Sequence, residues 1–432
     1  MLVCMLAGGI SIYAQDDAYS GFSPYSVFGV GDLNRQGSAY SRSMGGTGIA
    51  TRDYRFINTL NPAAVTARDS LSILADVSLL GENKYYRQGN INSAANLFNV
   101  GNISFSFPIY RTKVAAYVGI TPYSSIGYEV VRLITDPSLI GNVGNIAYTL
   151  NGHGSIYQIF FGTGVKITNN LSAGAEFQYY FGHQSKQTVM VPEKTTFRSI
   201  YSGYELSLRG ATAKLGAQYD QQIGASTTMT VGATYKFNTN IKGFVNDFRV
   251  ATISSIADTL NFNVDTLSHN PGRVKLANEI GAGISFRGGD RWSIELDYIR
   301  TDASKCGYEN VPGFMNTSSS AVFTATASNS IRLGGSYTPN RNDIRYYYRR
   351  VTYRAGAYYE SSYFKVNGQG VNSFGLTFGA SFPVNRQRNY LNVGMELGQR
   401  GTTDSNLIRE RFVNLTVGIN IFDVWFQRQK YN

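Results

Sequence analysis

Long apolar runs are missing: from residue 16 onward no segment approaches the roughly 18 consecutive apolar residues that a membrane-spanning helix needs, so a helical membrane protein is excluded. Histidine is scarce as well. His153, His183 and His269 are scattered through the chain, which leaves no cluster for a histidine-rich metal site and no evident pairing of a nucleophile with a base. Neither an enzyme nor a cofactor is expected. Cysteine is restricted to Cys4 and Cys306. Because Cys4 falls in an apolar leader, the mature chain has one thiol and no intrachain disulfide. No Pro-rich, Gly/Ser-rich or charge-run linker divides the 432 residues, so one large unit follows the leader. The net charge is +11, yet no Lys/Arg run is present to track a phosphate backbone. That pattern argues against nucleic acid and for anionic headgroups of membrane lipids and lipopolysaccharide at the rims of a membrane protein.

What is abundant favours strands. The chain has 31 Tyr, 25 Phe and 46 Gly with 16% charged residues; aromatics suit pleated surfaces and glycine supplies turns. Residues 412 to 422 give the pattern in its clearest form. Leu415, Val417, Ile419 and Ile421 share one face, and Asn414, Thr416, Gly418 and Asn420 share the other, because side chains alternate along a strand. About fourteen segments repeat this signature, from the strand carrying Ile73, Ala75, Val77 and Leu79 onward. The fold class that follows is all-β: a transmembrane antiparallel β-barrel of about 14 strands, apolar side to lipid and small polar side to the lumen. Short joins at 108–112, 168–170, 220–225, 287–291, 339–345 and 384–389 alternate with longer ones at 83–96, 129–145, 184–202, 253–272, 302–328, 361–370 and 400–410. The even count depends on reading 226–252 as one strand and puts both ends of the wall in the periplasm.

Four regions are delimited. Residues 1–14 are an apolar leader without a charged start, expected to be a secretory signal cleaved after Ala14. Residues 15–68 lack periodicity and are glycine-rich; they are either a flexible periplasmic extension or a plug folded inside the lumen, where irregular backbone meets protein or water. Residues 69–422 form the wall. Residues 423–432, with Trp425, Phe426, Arg428 and Lys430, form a basic, aromatic tail suited to headgroup depth.

Gly45-Gly46-Thr47-Gly48-Ile49-Ala50, followed by Asn61-Pro62-Ala63-Ala64 just before the first wall strand, resembles the N-terminal hatch of the FadL-type outer-membrane transporters. The resemblance implies a fourteen-stranded barrel closed by a plug. It also implies a kinked third strand that leaves a lateral opening for hydrophobic substrate. Pro122, followed by Tyr123 and Ser124, lies on the corresponding strand, and a proline there removes a ladder hydrogen bond. Alternatively Pro122 lies at a loop base. Parity sends Asp76, Glu176, Lys236, Glu279, Glu295, Asp297, Arg332, Arg354 and Glu396 into the lumen, either to pair with one another and with Arg42, Arg52 and Asp53, or to gate the plug. Two functions are compatible with these features. One is a transporter of hydrophobic small molecules such as long-chain fatty acids, with plug-gated lateral release; the other is a plugged scaffold for protein partners in an outer-membrane secretion or assembly complex.

Overall fold

An alternating strand must turn its apolar face to lipid or to a second layer. In the computed structural model the face is left open. It describes residues 21–68, 72–110, 112–141, 143–194, 196–253, 263–308, 322–384 and 389–424. The wall strands are β1 (Ser72–Gln88), β2 (Ile91–Tyr110), β3 (Val114–Ile134), β4 (Ile146–Lys166), β5 (Leu171–Pro192) and β6 (Arg198–Gln222). Then come β7 (Thr227–Lys236 continued by Thr239–Ile253), β8 (Asn263–Leu276 continued by Glu279–Gly288), β9 (Trp292–Asp302) and β10 (Ala327–Tyr337). The last four are β11 (Thr352–Glu360), β12 (Ser373–Val384), β13 (Asn389–Arg400) and β14 (Arg409–Val424). Each neighbour pair is antiparallel and β1 also pairs with β14, so fourteen strands close into a barrel. On β14, Leu415 is 48% and Ile419 52% exposed while Asn420 is fully buried. The same split recurs around the ring at Phe177, Leu296, Ile331 and Leu376, all exposed. This is an apolar belt of the kind a membrane barrel presents. No helix among the described residues is long and apolar enough to cross a membrane.

Several joins are shorter than the sequence suggests. β1 and β2 run through 83–96 as a hairpin whose tip is Gly89-Asn90, with Gly89 at φ +55, and β3 to β8 extend into 129–145, 184–202 and 253–272. Beyond the belt both faces of a strand meet water, so the two-residue hydrophobic period disappears while the ladder hydrogen bonds persist. The leader, residues 15–20, Leu71, the side chain of His269 and the tail from Trp425 lie outside the description.

The N-terminal segment, residues 21–68, makes its contacts with inward-facing groups on strands all around the ring, and so lies within the lumen. Its fit depends on glycine. Gly164, Gly174 and Gly216 stand side by side on β4, β5 and β6, and they form a flat seat under the Asn61-Pro62 corner. A Cβ at Gly174 would come within 2.5 Å of the Pro62 carbonyl carbon, and one at Gly216 within 2.1 Å of Asn61 Oδ1. Farther round, a Cβ at Gly232 would meet Ile49 O at 2.2 Å and one at Gly356 would meet Gly45 N at 2.3 Å. Backbone thus approaches backbone where only glycine leaves room. Asn61 is fully buried. Its side chain caps the short 3₁₀ helix Pro62–Ala67 by accepting from Ala63 N (3.0 Å), and its Nδ2 donates to Ile49 O (2.8 Å) and Ala217 O (3.2 Å). Pro62 starts the helix at a position where its missing N–H costs nothing.

Two outcomes are expected. Leu415→Arg, at mid-belt, should destabilise the barrel by about 2–4 kcal/mol in denaturant unfolding from lipid vesicles; no loss would contradict the assignment of that face to lipid. Gly174→Val should unseat the Asn61-Pro62 corner, so that limited proteolysis cuts within residues 21–68 while the wall stays resistant.

Candidate lateral opening and charged lumen

The wall ladder stops short between β2 and β3. β2 and β3 pair from Tyr110–Val114 up to Ile103–Ile120 and no farther, although β2 continues to Ile91 on β1 and β3 continues to Ile134 on β4. The interruption starts two residues before Pro122. Pro122 pairs with Tyr157 and Ser124 with Ile156, so Tyr123 is the extra residue of a bulge, which bends a strand and increases its twist. On the facing edge a second shift leaves Gly101 between Asn102 and Val100. Thr121 Oγ1 donates to Gly101 O at 3.1 Å at the corner of the gap. Phe98, beside it, is 73% exposed. In register, Phe98 opposes Gly81 of β1, which opposes Leu415 of β14, so the gap lies at the depth of the apolar belt.

An open sheet edge at that depth cannot be left to hydrocarbon, and the N-terminal segment covers the β3 side. Asp32 and Leu33 pair antiparallel with Ser125 and Ser124. Asn34 N donates to Tyr123 O (2.9 Å), Ser23 N donates to Gly127 O (2.7 Å), and Gln36 Nε2 donates to Pro122 O (3.2 Å). Phe22 packs on Tyr86 of β1, whose hydroxyl donates to Phe22 O at 2.6 Å. Tyr25 reaches the residue that leads into β14, donating to Ile408 O at 2.6 Å. Burial, together with the nearby Glu410 carboxylate, pushes the Tyr25 hydroxyl up to about 12, so it remains a donor at neutral pH.

All nine charges sent inward by parity face the lumen, and the segment engages five of them. Asp297 Oδ2 accepts from Gly48 N (2.7 Å) and Ile49 N (2.9 Å); Glu295 accepts from Thr51 Oγ1; Arg332 Nη1 donates to Gly46 O (3.1 Å). Arg354 Nε donates to Ser43 Oγ (2.7 Å) and lies over the Tyr40 ring, and Glu396 pairs with Arg35 at 2.9 Å. Gly45 and Gly46, both at positive φ, form the turn that presents these groups. Lys236 and Glu279 pair with each other (3.1 Å). Asp76 is held by Asn102, and Glu176 by Tyr117 and Gln178. Of the segment residues expected to answer wall charges, only Arg52 does so, with Asp220 at 2.9 Å. Arg42 donates to Arg35 O within the segment, and Asp53 pairs with Arg55. Burial would raise the Asp53 carboxyl, but Arg55 outweighs it and holds it below the ordinary value.

Sequence reasoning missed Arg400, which pairs with Asp32 at 2.6 Å, and Glu410, which accepts from Ser23. Glu410 lies on the inward parity of β14 and could have been read from it; Arg400 follows the same inward run as Glu396. These groups surround a chamber of about 260 Å³ beneath the gap. Its lining is acidic (Asp32, Glu82, Glu176, Glu279, Glu360, Glu396, Glu410) and basic (Arg35, Arg42, Lys84, Lys214, Lys236, Arg332, Arg400) in equal number. Above it lies an apolar cluster filled by the chain itself. Phe28 stacks on Phe323 (5.7 Å) and tilts onto Phe364 (5.5 Å), among Ile156, Tyr180, Leu206, Ile241 and Val245.

Solved structures share this architecture. The Pseudomonas putida toluene transporter TodX aligns over 92% of this chain and 100% of its own, with a TM-score of 0.59 and 14% identity. A Pseudomonas aeruginosa FadL homologue gives 92% and 100%, TM-score 0.57 and 12% identity. The Ralstonia pickettii toluene transporter TbuX gives 89% and 98%, TM-score 0.54 and 13% identity. At such identities the likeness is one of fold, and the fold is that of the FadL-type outer-membrane channels. No curated protein matches the sequence. The family model described as BamG matches residues 1–432, and with its fourteen-stranded wall and filled lumen the chain belongs to the BamG family.

Proposed function

We propose that this protein resides in the outer membrane of a Gram-negative bacterium, wall termini toward the periplasm, as a conduit for hydrophobic small molecules held in its closed state. The observation that carries this reading is the arrested β2–β3 ladder at belt depth, with the N-terminal segment bonded to the exposed β3 edge. Residues 21–34 act as the plug's movable part. A hydrophobic molecule entering among Phe28, Phe323 and Phe364 takes over their mutual contacts, and withdrawal of Asp32-Leu33 from Ser124-Ser125 opens the wall to lipid. The names of the solved neighbours, toluene transporters among them, support small hydrophobic substrates; long-chain fatty acids are the second class to compare.

A second reading, a scaffold for protein partners, is favoured by a different observation. The glycine seat wedges residues 43–62 against the wall, the chamber is rich in charges of both signs, and the apolar cluster is already occupied by side chains. A barrel built so has less need to open than to stay rigid.

Two experiments separate the readings. In a Cys306→Ser background, a disulfide between Leu33→Cys and Ser124→Cys, which face each other in register, should pin the segment. Uptake of a radiolabelled aromatic hydrocarbon or fatty acid into cells should stop on oxidation and return on reduction; equal uptake in both states contradicts a moving plug. Purification in mild detergent followed by native mass spectrometry should show a bound hydrophobic molecule if the conduit reading holds. Stoichiometric protein partners without one would support the scaffold.

A further inference from the structure

The connection between β10 and β11, residues 338–351, stands at the rim where the wall begins and ends, and the other described turns of that rim are short. Its sequence Arg341-Asn-Asp-Ile-Arg-Tyr-Tyr-Tyr-Arg-Arg350 folds into a fixed knob. Asp343 accepts from Arg345 N (2.9 Å) and Tyr346 N (2.8 Å) and pairs with Arg349 (3.3 Å). Arg345 and Arg349 stack on Tyr346, at 5.1 and 4.9 Å, and Arg350 stacks on Tyr347 at 4.9 Å. Arg341 ties the base to the lumen through the hydroxyls of Tyr54 and Tyr390.

The knob is built and exposed at once. Ile344 is 99% exposed, and the three tyrosines beside it are exposed as well. Stacking occupies the faces of the guanidinium groups and leaves the N–H edges of Arg345 and Arg350 for an acceptor, while Arg349 gives one Nη to Asp343 and keeps the other. Arg345 donates no side-chain hydrogen bond among the described residues, and Nε of Arg350 is buried without a partner. The direction in which the knob leans identifies what meets it. Tyr348 O accepts from the hydroxyl of Tyr353 (3.1 Å), a lipid-facing residue of β11, and Tyr347 donates to Pro383 O (3.0 Å) at the rim end of β12. The tyrosines therefore continue the aromatic edge of the belt, at headgroup depth.

We infer that Arg345, Arg349 and Arg350 form a binding site for the phosphate of an anionic phospholipid in the leaflet at this rim, with Ile344 and the tyrosines contacting the glycerol and upper acyl region. Planar guanidinium groups suit phosphate oxygens, and the apolar tip suits the chain beneath them. Protein partners have no comparable claim, because the knob leans along the lipid-facing wall.

The test uses the full-length protein in detergent, titrated with phosphatidylglycerol or phosphatidylcholine and read by native mass spectrometry. The wild type should retain phosphatidylglycerol in preference to phosphatidylcholine. Each arginine replaced by glutamine should weaken retention about fivefold, the equivalent of about 1 kcal/mol per basic residue at a membrane surface, with the triple variant losing the preference. Unchanged heat-modifiable migration of the variants on gels would show that the barrel is folded. Equal retention of both lipids by the wild type, or a triple variant that still prefers phosphatidylglycerol, overturns the site. A photo-crosslinker at Ile344 in cells should mark lipid; a protein adduct there would also overturn it.

Discussion

Hydrocarbon offers no hydrogen bonds, and the organisation of this protein follows from that. A sheet placed in such a solvent must close on itself, since each unpaired backbone group there costs several kcal/mol. Closure through β1 and β14 meets the requirement almost everywhere. Where β2 and β3 part company, the chain meets it by another route: an N-terminal segment that never enters the wall supplies Leu33, Asn34 and Ser23 to the exposed edge of β3.

That substitution explains why the lumen is built as it is. The segment has to be held at the right height and angle from inside, and two kinds of contact do so. Inward glycines let its backbone lie against the wall, and inward charges grip its polypeptide groups, as Asp297 grips the amides of Gly48 and Ile49. Buried charge is costly unless it is satisfied. Here most of these groups have found backbone or side-chain partners in the segment, so the wall and its contents are mutually dependent. The charged chamber is what remains between them, and the aromatic cluster of Phe28, Phe323 and Phe364 closes the far end.

Much of this was legible beforehand, for identifiable reasons. Period-two alternation reports which medium each face meets, so the strand from Phe412 to Phe422 and the inward direction of Glu295 or Arg354 could be read directly. A proline in a wall strand carries its own consequence, and Pro122 lies beside the arrested ladder. Strand length was less accessible, because the alternation ends where the lipid ends while the hydrogen bonds continue, as at 83–96. The partners of the inward charges were inaccessible too. A glycine such as Gly174 reads as a weak strand residue until one knows that Pro62 lies on it, and Asp53 looks like a partner for the wall until Arg55 is seen two residues away. Tertiary proximity carries that information, and a single sequence does not print it.

The claim on which the account turns is that the segment stands in for β2 along β3. Hydrogen–deuterium exchange of the protein in lipid, resolved for the peptide 121–128, measures it directly. Protection comparable to that of the fully paired stretch 114–120 is the expected result. Exchange as fast as that of the exposed turn at Gly89-Asn90 would mean that the β3 edge is open, and the account would not stand.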